Sequence, residues 1–192
     1  MKLPPEVYAG VSERAELLVT PQAMSQAVDR MATAITDRLG GTDPLVLCVL
    51  TGGLVATGLL LPRLPFQLRL DYVHATRYRG GTRGGELIWH YRPSEAIQGE
   101  QVLIVDDILD EGVTLEQVAR ACQEDGAAGV HTAVLVAKRR PHRLEADFVG
   151  MEVPDRYLFG FGLDYRGYFR NAAGVFAVAD SDVRAAPRIT SR

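Results

Sequence analysis

Hydrophobic and polar positions follow three rhythms along this chain, and each predicts a different element. Met24, Ala27, Val28, Met31, Ala34, Ile35 and Leu39 recur at the three- and four-residue spacing of one helix face. Thr20-Pro21 gives that helix a capping hydroxyl and a proline at its first position, and Gly40-Gly41 ends it. Apolar runs of strand length come next, unbroken over Leu45 to Leu50 and Val102 to Val105, and over Val130 to Ala137 with only His131 and Thr132 as exceptions. Strands covered on both faces read this way, so these predict a parallel sheet. The third rhythm has period two: Phe66, Leu68, Leu70 and Tyr72 alternate with Gln67, Arg69 and Asp71. It predicts a strand with one wetter face, and Glu86 to Tyr91 reads as another strand nearby.

The connections sharpen this pattern. Thr51-Gly52-Gly53 turns the first apolar run into a second helix through Leu54 to Leu61. Thr114-x-x-Gln117 has the form of a capping box, and Leu115, Val118, Ala119 and Cys122 supply an apolar stripe up to Gly126. Strands and helices thus alternate from Leu45 to Lys138, which predicts an α/β fold with a central, mostly parallel sheet flanked by helices. Arg79 to Gly85 holds four glycines and two arginines and reads as a mobile flap. The last third is aromatic, glycine-rich and short-stranded, with Phe148-Val149, Tyr157-Leu158-Phe159, Leu163-Asp164-Tyr165 and Val175 to Val178 as its apolar segments.

At 192 residues and 47% hydrophobic composition, the chain suits a single domain with a real core. A net charge of -3 and the lack of a polybasic block argue against nucleic acid and against an anionic membrane surface. The amino terminus lacks the apolar core of a signal peptide, and no apolar run reaches the ~20 residues of a membrane span. A cytoplasmic protein is expected, and Cys48 and Cys122, without metal-like spacing, read as core thiols that suit a reducing compartment. His74, His90, His131 and His142 are scattered without metal spacing, and Trp89 reads as packing.

Chemistry concentrates in Val102-Leu103-Ile104-Val105-Asp106-Asp107-Ile108-Leu109-Asp110-Glu111-Gly112-Val113-Thr114. Here an apolar strand runs into two adjacent carboxylates, and a third carboxylate, a glycine and a hydroxyl precede a helix. A glycine turn of backbone amides before a helix amino terminus is a phosphate site. Asp106 and Asp107 repel phosphate but accept hydrogen bonds from sugar hydroxyls or hold a hard cation such as magnesium. A phosphate beside a diol is a ribose phosphate. No dinucleotide fingerprint competes, and the glycine flap lacks the Lys-Ser/Thr ending of a nucleotide-hydrolysing loop. The acids and Lys138 also bring a phosphorylatable receiver domain to mind, but their order along the chain is wrong for it.

The segment VLIVDDILDEGVTLEQV resembles the phosphoribosyl pyrophosphate motif of type I phosphoribosyltransferases, and VLVAKRR, DFVGMEVPDRYLFGFGLDY and GYFRN resemble the tail of the hypoxanthine-guanine members of that family. The resemblance runs from about Leu45 to Val178. It implies transfer of 5-phosphoribosyl from phosphoribosyl pyrophosphate to a 6-oxopurine, with Mg2+ as cofactor, in a homodimer or homotetramer. It also implies one domain over 1–192: a core over about 20–145, a flap over about 78–85, and a purine-binding hood from about 146–192 plus the amino-terminal segment.

By the same resemblance, Asp106 and Asp107 hold the ribose hydroxyls and the metal, and Asp110 moves the proton at the purine five-membered ring. Asp110, Glu111, Gly112, Val113 and Thr114 cradle the 5-phosphate; Thr51, Gly52 and Arg170 meet pyrophosphate. Lys138 donates to the 6-oxo group, Tyr157 stacks on the base, and the Leu158 backbone meets its exocyclic position. Asp164 is a second metal contact beside the purine, and Arg77, Tyr78 and Arg79 belong to the flap. Three positions depart from the family pattern. Thr51 stands where relatives carry a basic residue, Glu111 where they carry threonine, and Arg77 where they carry a small polar residue; Arg77 is expected to supply the cation that Thr51 lacks. The rival expectation is a regulator that keeps the fold, binds RNA or DNA and has little or no catalysis.

Overall fold

The computed structural model describes residues 2–77, 87–93 and 96–185, with only the backbone of Arg77, Leu87, Arg184 and Ala185. The three apolar runs are strands β2 (Leu45–Leu50), β5 (Gln101–Leu109) and β6 (Gly129–Lys138), and they lie side by side at the centre of a six-stranded sheet. With β3 (Arg69–Arg77), β4 (Leu87–Tyr91) and β7 (Phe148–Val153) the order is β4-β3-β2-β5-β6-β7, parallel throughout except for the antiparallel edge strand β4. Leu45 pairs with Val102 and Val102 with Val130, so the apolar runs stand in register.

Helices cover both faces, which is why the central strands carry no alternation. On one side α2 (Pro21–Leu39) and α3 (Gly53–Leu60) pack on Val46, Leu103, Val105 and Leu135; on the other, α4 (Val113–Glu124) packs on Leu47, Ile104 and Val134. Each fully buried leucine or isoleucine of this kind contributes roughly 1.5–3 kcal/mol. The Thr20 side chain accepts from the Ala23 amide at 3.1 Å and Pro21 opens α2, as the sequence predicts. Its buried face includes Ala32 in place of Ala34, which is exposed. Because α3 and α4 leave neighbouring strands toward opposite faces, a crevice opens at the carboxyl ends of β2 and β5.

A second, three-stranded sheet has the order β1-β9-β8, from β1 (Glu16–Val19), β9 (Val175–Ala177) and β8 (Leu158–Phe159). The amino-terminal helix α1 (Pro5–Arg14) lies over it: Val11 is buried with Phe159, Tyr165 and Phe169, and Tyr8 stacks on Phe169 with centroids 4.0 Å apart. Arg14 donates twice to Asp182, at 3.0 and 2.7 Å, tying α1 to the terminal helix α5 (Asp180–Ala185). Pattern reading assigned neither α1 nor β1, since both are short and only weakly amphipathic.

Several expectations need correction. The strand expected over 66–72 is β3, beginning at Arg69, and its phase is inverted: Asp71 is buried, whereas Leu70 and Tyr72 are 52% and 40% exposed. Val73 and Ala75, in the same phase as Asp71, fill the α4 side and set the register, while α3 covers only the inner strands. Leu163 to Tyr165 is no strand but part of two tight reversals, bridging Gly160 to Leu163 and Tyr165 to Tyr168. Helix α4 is capped by Gly112 at φ 81°, without a side-chain bond, so Thr114 lies inside the helix and the expected capping box does not form its start. Both cysteines are buried and free. No described helix is long and apolar enough to cross a membrane.

Candidate active site

Strand β5 continues to Leu109, so Asp106 and Asp107 sit within the strand and are buried to 9% and 8% exposure. The Asp106 carboxylate accepts from the Asp107 amide at 2.9 Å. Burial, and then the charge of Asp107, push the Asp106 carboxyl well above the usual carboxylate range. Burial raises Asp107 too, while the Arg170 guanidinium draws both partway back. The turn after β2 presses against this pair: a Cβ on Gly52 would lie 2.0 Å from an Asp107 carboxylate oxygen, so only glycine lets the backbone approach so closely.

Past β5 the chain turns through Asp110 and Glu111 into Gly112 and α4, leaving amides at a helix amino terminus facing the crevice. Lys138 ends β6, which pairs with β5, and its Nζ donates to Asp110 at 3.1 Å. Arg140 donates to the other Asp110 oxygen at 3.1 Å. Glu111 turns outward, half exposed, with its carboxylate 3.8 Å from Arg140. Its negative charge therefore lies outside the cavity lining.

A cavity of about 420 Å³ brings together Gly52, Asp106, Asp107, Asp110, Gly112, Thr114, Lys138, Tyr157, Leu158, Asp164 and Arg170. Tyr157 and Leu158 reach it from the small sheet; burial, and then Asp164, raise the Tyr157 hydroxyl pKa. Arg170 pairs with Asp164 at 2.6 Å and donates to the Gly162 carbonyl at 2.5 Å, while Asp164 also accepts from the Gly167 amide at 2.6 Å. Exposed Thr51, outward Glu111 and buried Val113 lie beside this cavity and do not line it. Tyr78 and Arg79, with the rest of the expected flap, lie outside the described residues, as does the Arg77 side chain.

Sequence reasoning passed over Arg140 and Asp155. Asp155 stands 3.4 Å from Lys138 and 3.4 Å from Arg140, so both residues touch the Asp110 cluster. Adjacency to Lys138 and Tyr157 was the one signal available, and it carries no information about who meets whom.

The sequence profile of the family described as "Phosphoribosyl transferase domain" matches residues 15–166. The hypoxanthine-guanine-xanthine phosphoribosyltransferase of Tritrichomonas foetus is 29% identical over 158 residues, covering 81% of this chain and 86% of its own. The hypoxanthine-guanine phosphoribosyltransferase of Staphylococcus aureus is 29% identical over 159 residues, covering 81% and 89%. Among solved structures, a Trypanosoma cruzi hypoxanthine phosphoribosyltransferase complexed with the product IMP superposes with a TM-score of 0.83 at 25% identity, over 90% of this chain and 96% of that one.

Proposed function

The chain belongs to the phosphoribosyl transferase family, and from that membership we propose that it carries out purine salvage: 5-phosphoribosyl passes from phosphoribosyl pyrophosphate to a 6-oxopurine, hypoxanthine or guanine and by extension xanthine. The carrying observation is a two-sided cavity. One side holds a buried acid pair and a glycine turn suited to a ribose phosphate; the other sets Asp110 and Lys138 3.1 Å apart under Tyr157 and Leu158. The nucleic-acid-binding alternative gains no support.

In the proposed reaction a purine ring nitrogen bonds to the anomeric carbon as the bond to pyrophosphate breaks, and the ring proton passes to Asp110. Lys138 donates to the 6-oxo group and would oppose a 6-amino group, donor against donor, which selects against adenine. Tyr157 offers a stacking face and the Leu158 backbone meets the exocyclic position. The amides from Asp110 to Gly112, the first turn of α4 and the Thr114 hydroxyl receive the 5-phosphate. Thr51 and Gly52 amides and the forked donors of Arg170 take pyrophosphate.

Magnesium fits the acid side. Asp106 and Asp107 offer hard oxygens whose charges are raised in energy by burial and by each other, and a divalent cation relieves both. Magnesium keeps much of its own shell, so such a pair suits an ion held by one or two carboxylates and substrate oxygens, with Asp164 as a further contact. The bound ion would supply charge neutralisation at the departing pyrophosphate.

The deciding experiment mixes the protein with phosphoribosyl pyrophosphate, magnesium and hypoxanthine, guanine, xanthine or adenine in turn. Monophosphate is expected with at least one 6-oxopurine and not with adenine; no product with any 6-oxopurine would falsify the reading. A homodimer or homotetramer is also proposed. The uncovered sheet face beside α3 exposes Leu70, Tyr72 and Ile88, with Leu54 of α3 on the same side. Leu70→Asp is expected to lower the mass seen by light scattering. The cytoplasm is the proposed compartment, which suits two buried free thiols.

A further inference from the structure

Asp110, Lys138, Asp155 and Arg140 form a closed ring of alternating charge. Asp110 gives one oxygen to Lys138 and the other to Arg140, each at 3.1 Å. Asp155 repeats the arrangement, one oxygen 3.4 Å from Lys138 and the other 3.4 Å from Arg140. Asp110 and Lys138 line the cavity, whereas Asp155 and Arg140 stand behind them.

We propose that Arg140 and Asp155 are positioning residues, Arg140 fixing the plane of the Asp110 carboxylate and Asp155 holding the Lys138 ammonium toward the 6-oxo group. This rests on the 6-oxopurine reading above. A lysine has three protons on a rotating head, so one partner leaves its direction open. Asp110 holds one proton in a hydrogen bond and Asp155 draws the ammonium from a second side as an ion partner at 3.4 Å, which leaves a proton for the base. Arg140 meets the second Asp110 oxygen through one nitrogen, Nη1, so the carboxylate is tied at both ends, by Lys138 at one oxygen and Arg140 at the other, and keeps lone pairs on both for the ring proton. When that proton arrives, Asp110 loses its charge, and Asp155 still compensates both cations. Glu111, 3.8 Å from Arg140, adds to that compensation from outside the ring.

The two positions should therefore fail differently. Asp155→Asn is expected to weaken inosine monophosphate about tenfold by calorimetry, with adenosine monophosphate and phosphoribosyl pyrophosphate within about twofold, so that 6-oxo selectivity falls. Arg140→Met is expected to lower kcat about tenfold with the donor KM within about twofold, and Arg140→Lys to recover most of the loss. Equal weakening of all three ligands by Asp155→Asn, or no recovery with Arg140→Lys, overturns the proposal. Crystal structures of both variants give a readout independent of activity. Lys138 should move off its 3.1 Å contact without Asp155, and the Asp110 carboxylate should rotate without Arg140; an unmoved pair sinks the proposal even if the wild type transfers nothing. A wild type that binds both monophosphates alike, with the pair displaced in the variants, refutes the 6-oxopurine reading alone.

Discussion

Asp107 and Asp110 are separated by only two residues of chain, yet the carboxylate pairs to which they belong live under opposite electrostatics. Asp106 and Asp107 are buried against one another, and their protons are held more tightly than in an open carboxylate. Asp110 and Asp155 are about 40% exposed, and each faces both Lys138 and Arg140. The Lys138 side of the cavity is thus balanced by the chain itself, whereas the Asp106–Asp107 side carries charge that Arg170 offsets only in part. The difference teaches that acids of one motif need not share an environment, and so need not share a role.

Substitutions can break that contrast. Asp110→Asn should have the largest effect, a loss of about 10²–10⁴-fold in kcat, the range of general acid–base catalysis. Donor affinity should stay within about threefold; equal loss in both would reassign Asp110 to binding. Gly52→Ala drives a methyl into the Asp107 carboxylate and should cost roughly 10²-fold in kcat/KM for the donor. Normal donor kinetics in that variant would mean the turn relaxes freely.

Stability separates the two sets by sign. Asp106→Asn relieves a buried repulsion and should raise Tm of the ligand-free protein by roughly 2–4 °C, as about 1 kcal/mol does at this size, while impairing turnover. Folded Asp106 holds its proton more tightly than the unfolded chain, so its contribution is full below about pH 4 and is lost as pH rises through its raised value. Melts across that window should slope downward in the wild type and less so in Asp106→Asn; parallel curves would refute the assignment. The smallest effect belongs to Asp155→Asn, a destabilisation of at most about 1 kcal/mol that about 1 M salt should erase.

The central sheet was legible because β2, β5 and β6 are covered on both faces and write that burial into consecutive residues. β3 was misread in phase because it lies near the edge, where α3 covers one side incompletely and Leu70 and Tyr72 remain outside. The acids and the glycine turn stood out by their place between an apolar strand and a helix, and Lys138 was tied to them only through the family resemblance. The ring they join was not legible, since it depends on β5 and β6 pairing in one register and on the chain after β7 returning Asp155 to Lys138. No local pattern encodes such a meeting.

The small sheet has a consequence for how the molecule is made. Val19 pairs with Val175, so β1 waits for a strand synthesised much later, on the order of ten seconds at ordinary synthesis rates. The strands from Leu45 to Val153 can pair meanwhile, so the Asp106–Asp107 side of the crevice can be assembled before Leu158 is locked beside Ala177. A nascent chain stalled before β9 would then present the acid pair and the glycine turn without the wall that Tyr157 and Leu158 form.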